Sequence, residues 1–216
     1  MKLRMLAELA TLNIFAALSP AHTQDADLAS LQQLADAGEA KARVELGFRY
    51  LRGIGVPRDY AQALTLYRGA AAQGDTTAEN QIGFMYQHGW GVPRDYAQAM
   101  LWFRKSAEQG NASGQNNLGL MYQAGQGVPQ NYAQALAWFR KAAEQGVADA
   151  QFNLAFMYQH GQAVPKDYAQ ARICYQKAAD QGVTDAKTQL AALDNQQQVE
   201  RDQQKQARLN AIVGAI

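Results

Sequence analysis

The chain has 216 residues, with Lys+Arg 20 against Asp+Glu 19, His 3, Cys 1 and a hydrophobic share of 48%. That near-neutral balance argues against a polybasic nucleic-acid binder, and a lone thiol excludes an internal disulfide framework. After residue 21 no apolar run approaches the roughly 20 residues a membrane-spanning helix needs.

Residues 1–21 read as a secretory signal. Lys2 and Arg4 precede an apolar run from Leu9 to Leu18, and Ser19-Pro20-Ala21 supplies small residues where a signal peptidase would cut. This predicts an exported protein, periplasmic or secreted, of bacterial type; the alternative is a leading helix that caps the rest of the chain. Residues 22–37, with Leu28, Leu31 and Leu34, predict an N-terminal capping helix.

From Gly38 the text repeats. Gly38, Gly74, Gly110, Gly146 and Gly182 stand 36 residues apart, and Tyr50, Tyr86, Tyr122 and Tyr158 keep the same step. A fixed period of this length means stacked supersecondary units. The four copies are 38–73, 74–109, 110–145 and 146–181. In the second copy, Ala78, Ile82, Gly83 and Tyr86 share one helical face, predicting a first helix over about Thr76–Gln87. Glycine is costly inside a free helix, so the column Gly47, Gly83, Gly119 predicts close approach by a neighbouring helix. The turn His88-Gly89-Trp90-Gly91-Val92-Pro93 then stops the helix.

The second helix opens on Asp95 with Gln98 three residues on, a spacing repeated as Asp59/Gln62, Asn131/Gln134 and Asp167/Gln170. That predicts a capping box. Tyr96, Ala99, Phe103 and Ala107 form its apolar stripe, and Gly110 closes it. Neither helix can bury its face alone, so stability must come from stacking. After Gly182 one more first-type helix, 182–193, caps the array, although Asp194 occupies the tyrosine column. The Gln-rich residues 194–216 form a tail, read as an exposed helix, a disordered segment or one docked through Leu209, Ile212, Val213 and Ile216.

The motif carried by Ala78, Ile82, Gly83, Tyr86, Gly89, Gly91, Val92, Pro93, Asp95, Tyr96, Ala99, Trp102, Phe103, Lys105 and Gly110 resembles the Sel1-like repeat, a relative of the tetratricopeptide repeat. The resemblance covers about Gly38–Gly182. It implies an all-α fold, a right-handed α/α superhelix or solenoid whose relatives mostly act as protein adaptors. Some secreted relatives are cysteine-rich and have been assigned β-lactamase activity, but Cys174 is alone here, so that likeness fails at its defining residues.

No catalytic constellation is present. His88 and His160 share a column two copies apart, on the order of 20 Å at ordinary helix spacing, too far to share a metal. Asp59, Asp95 and Asp167 recur as caps do, and the Gly-x-Gly-Val-Pro turns are connectors because no strand precedes them. We expect no cofactor and no metal. Binding is the remaining class. By analogy with the groove of tetratricopeptide relatives, the first helices would line a concave wall with Asn80, Phe84, Gln87, His88, Asn116, Leu120, Gln123, Phe152, Phe156 and Gln159. Amides can clamp an extended backbone and aromatics supply buried anchors, which predicts a peptide or protein partner. A cell-wall glycan is the alternative, since aromatic and amide surfaces also suit sugars. Trp90, not required by the repeat, is a further candidate at the rim.

Overall fold

The computed structural model describes residues 20–213; residues 1–19, most of the signal-like segment, lie outside the described residues, as do 214–216. Every element in the described residues is a helix: α1 (Pro20–Asp36), α2 (Ala40–Arg52), α3 (Tyr60–Ala71), α4 (Thr76–His88), α5 (Tyr96–Glu108), α6 (Ala112–Ala124), α7 (Tyr132–Glu144), α8 (Ala148–His160), α9 (Tyr168–Asp180) and α10 (Thr184–Val213). The chain divides into two compact units between Trp102 and Phe103. In the first, α1 packs on α2, α2 on α3 and α3 on α4; in the second, α6 packs on α7, α7 on α8, α8 on α9 and α9 on α10.

The second helices start on side-chain caps, with one difference from the expected box. The Asp59 carboxylate accepts from the amides of Ala61 and Gln62 at 2.9 and 3.0 Å, and Asp95 does the same for Ala97 and Gln98. The cap residue's own amide, however, is not met by the glutamine. Asp59, Asp95, Asn131 and Asp167 donate instead to the carbonyls of Tyr50, Tyr86, Tyr122 and Tyr158, each at 2.9 Å. A tertiary bond thus takes the donor that the box would use, and it fixes the second helix against the end of the first.

The close approach predicted by the glycine column is present in both units. A methyl group at Gly47 would lie 2.8 Å from Tyr67 Cε1, and one at Gly119 would lie 2.6 Å from Phe139 Cε1. Around these contacts sit the cores: Leu64, Tyr67, Ile82 and Met85 in the first unit, Phe139, Leu154, Met157 and Tyr175 in the second. Polar rungs tie the pairs at the surface. Arg68 donates to the Tyr86 hydroxyl at 3.0 Å, and Arg104 and Arg140 repeat this toward Tyr122 and Tyr158. Asp194, which breaks the tyrosine column, is bound by Arg172 at 2.9 Å. An ion pair replaces the phenol rung.

The cap and the Gln-rich tail are one helix, α10. Its sequence from Thr184 to Val213 holds no glycine or proline, so nothing breaks it. Ala186 and Leu193 are buried, while residues 201–210 are exposed throughout. That polar stretch is supported by i,i+4 pairs such as Gln198 to Asp202 and Gln206 to Asn210.

Candidate functional site

In the first unit, α4 brings Asn80, Phe84, Gln87 and His88 to one side, but to different depths. Asn80 is buried at 5% exposure, Phe84 and Gln87 are half-buried, and His88 is exposed. His88 Nδ1 lies 3.0 Å from the Phe84 carbonyl, which can only accept, so that nitrogen carries the proton and donates. This bond turns the imidazole onto its neighbours. The His88 ring centroid is 5.9 Å from Phe84 and 4.6 Å from Trp90, and Trp90 lies parallel to Tyr60 at 5.8 Å with a 7° interplanar angle. The Arg58 guanidinium caps this stack 5.4 Å from the Tyr60 centroid, and Arg52 sits 5.7 Å from that of Phe48.

Gly91 holds the stack together. Its φ is +72°, and a Cβ there would stand 2.8 Å from the Tyr60 carbonyl oxygen, so a glycine at this position lets the connector lie close on the preceding repeat. Trp90, next to it, is thereby laid over Tyr60. Leu51, Arg52, Arg58, Tyr60 and Trp90 line an open pocket of about 240 Å³.

In the second unit the predicted amides are largely spent within the chain. Asn116 is buried at 6% exposure and its Oδ1 accepts from Asn153 at 3.0 Å. Gln123 donates to Gln162 at 3.1 Å, and Gln159 accepts from the Tyr175 hydroxyl at 2.7 Å. Phe152 packs on Tyr175 with centroids 5.3 Å apart. Phe156 stacks on His160 at 3.9 Å, and His160 Nδ1 donates to the Phe156 carbonyl at 2.9 Å. Leu120, with Ala124 one turn on in place of a histidine, is 36% exposed. The face that meets solvent is therefore more apolar and aromatic than its sequence column suggests.

Cys174 lies beside a pocket of about 210 Å³ with Arg140, Glu144, Gln151, Tyr158 and Lys177. Burial pushes its thiol above the ordinary range, with Lys177 opposing weakly. A thiol held protonated is a poor nucleophile. Among the described residues no three His, Cys, Asp or Glu side chains converge to hold a metal ion, and no helix is long and apolar enough to cross a membrane.

Four consecutive segments, residues 40–75, 76–111, 112–147 and 148–183, each match the Sel1 repeat family. Over 70 residues, 32% of this chain, the sequence is 44% identical to part of the secretory immunoglobulin A-binding protein EsiB of Escherichia coli, of which it covers 14%. Among solved structures it is similar to c5321, a protective antigen of uropathogenic Escherichia coli with an SLR fold, at 45% identity and a TM-score of 0.73 over 77% of this chain and 36% of that one. A Sel1 repeat protein from Oxalobacter formigenes is 31% identical with a TM-score of 0.71, over 76% of this chain and 65% of that one. The chain spans less than two thirds of the length of each of these relatives.

Proposed function

Because the chain belongs to the Sel1 repeat family, an α/α solenoid fold built on 36-residue repeats, we propose that it is a non-catalytic scaffold that binds a segment of another protein on its first helices. The observation that carries this reading is the periodic column Phe48, Phe84, Leu120 and Phe156. Phe48 and Leu120 are 37% and 36% exposed, and Phe84 and Phe156 are half-buried, recurring in each unit at the 36-residue step of the sequence. Large apolar side chains held at the surface by rigid helices are the kind of anchor that dominates protein recognition. Of the amides that sequence placed beside them, Gln87, Gln123 and Gln159 remain part-exposed at the margin, while Asn80 and Asn116 serve beneath.

EsiB binds an immunoglobulin, and a protein partner here is in keeping with that. Residues 1–21 supply the export signal in this reading, which places the partner in the envelope or outside the cell. The glycan alternative draws on the part-exposed aromatic cluster of Tyr60, Trp90 and His88, whose edges a sugar could contact. A cross-linking pull-down from the native envelope fraction separates the two, with wild type beside Phe84→Ala/Leu120→Ala. Loss of one captured protein in the folded variant supports the scaffold. Equal capture by both moves the site off these helices, and retention on peptidoglycan alone selects the glycan.

A further inference from the structure

The pocket between α2, α3 and the α4–α5 connector has a chemistry that the other copies do not repeat. Position for position, Arg52 is answered by His88, Ala124 and His160, Arg58 by Arg94, Gln130 and Lys166, and Trp90 by Ile54, Gln126 and Gln162. Two guanidinium groups and an indole therefore meet at one junction. Both arginines are exposed, and among the described residues neither forms an ion pair. The nearby carboxylates are committed elsewhere. Asp59 accepts the first-turn amides of α3, and Glu45 binds Arg49 at 3.1 Å.

We propose that this pocket receives the carboxylate of an aspartate or glutamate side chain from the bound protein segment. The proposal deepens the scaffold reading and rests on it. Charge complementarity carries it: a guanidinium presents paired N–H donors in a fork that matches a carboxylate, and two without acids of their own leave a local excess of positive charge. The aromatic wall supplies the rest. Arg58 rests on Tyr60 at 5.4 Å, Tyr60 is locked under Trp90 by the Gly91 contact, and Leu51 adds an apolar surface for the methylene stem of an acidic side chain. Because the stack is already formed, little ordering is needed on binding. A pocket of about 240 Å³ fits one side chain rather than a helix.

The test is an NMR titration of the full chain, following the Trp90 indole N–H and the Arg58 side-chain N–H. The probes are the blocked peptide Ac-Ala-Glu-Leu-Ala-NH2, its Gln counterpart, that Gln peptide as a free acid, and methyl glucuronide. The Glu peptide should give saturable shifts and bind about tenfold more tightly than the Gln peptide, weakening as salt is raised. Arg52→Gln and Arg58→Gln should each weaken it roughly three- to tenfold. Arg94→Gln, whose guanidinium lies over Tyr96 at 5.4 Å outside the pocket, should leave it unchanged. Equal binding of Glu and Gln peptides overturns the carboxylate while leaving the scaffold standing. So does a preference for the free acid or the glucuronide, each of which names another ligand. If the envelope pull-down yields a partner but no peptide shifts Trp90, the pocket proposal alone falls.

Discussion

Tyr67 and Tyr175 occupy the same column of the first and last repeats, with Phe103 and Phe139 between them. Both are fully buried, yet only one hydroxyl is satisfied. Tyr175 donates to Gln159 at 2.7 Å, whereas the Tyr67 hydroxyl has no hydrogen-bond partner among the described residues. The cause is one residue: Leu51 stands where Gln159 stands in the fourth copy. Replacing each tyrosine by the phenylalanine of the middle repeats should then give opposite signs. Tyr67→Phe removes an unmet polar group whose burial costs about 1–3 kcal/mol, less a small packing loss, for a net gain of about 1 kcal/mol. Tyr175→Phe removes a bond of about 1 kcal/mol net and strands Gln159, for a loss of about 1 kcal/mol. Urea unfolding of the two variants at neutral pH should show midpoints displaced in opposite directions at equal slope, and Tm values shifted by roughly 2–4 °C each way. Two variants destabilised alike would show instead that the Tyr67 hydroxyl is as well paired as that of Tyr175.

Alkaline unfolding probes the same pair. Burial is the main reason both phenols are pushed above their ordinary value of 10.0. Above that pH the unfolded chain loses protons that the folded chain keeps, so stability is full below pH 10 and falls as pH rises. Wild type should therefore lose about 1.4 kcal/mol more per pH unit above 10 than Tyr67→Phe, measured from urea midpoints; parallel curves would contradict the burial. At Gly119 a methyl would press on Phe139 at 2.6 Å, so Gly119→Ala should cost about 1–3 kcal/mol by the same unfolding assay, and an unchanged midpoint would show that the ring yields freely. Ala163, at φ +60°, is the non-glycine residue that holds the connector conformation taken by Gly55, Gly91 and Gly127. Ala163→Gly should relieve strain and stabilise by about 0.5–1 kcal/mol in a thermal melt, with a lower Tm as the contrary result.

Much of the fold was legible because its signals are local. A cap such as Asp95 and the closing Gly110 act within one turn of chain, and the 36-residue period needs only self-comparison. Contacts that join distant residues were less visible. Nothing in the text pairs Trp90 with Tyr60, because that stack depends on Gly91 docking on a carbonyl of the preceding repeat. Asn116 reads as an outward amide on the helical wheel, but Asn153 of the next repeat covers and satisfies it. The polar composition after Asp194 leaves an exposed helix, a disordered segment and a docked end open; backbone continuity is governed by the absence of a breaker, and α10 runs from Thr184 to Val213. Of the candidate site, the apolar column shows in the sequence, while Arg58 and Tyr60 stand in positions that read as repeat upkeep.

Whether the first helices carry the binding face can be read by radical footprinting of the chain with its captured partner. Phe48, Phe84, Leu120 and Phe156 should lose oxidation in the complex. Leu101 and Ile173, which are 59% and 49% exposed on second helices, should be oxidised as before. Protection of Leu101 and Ile173 with the aromatic column unchanged would place the partner on the second helices instead.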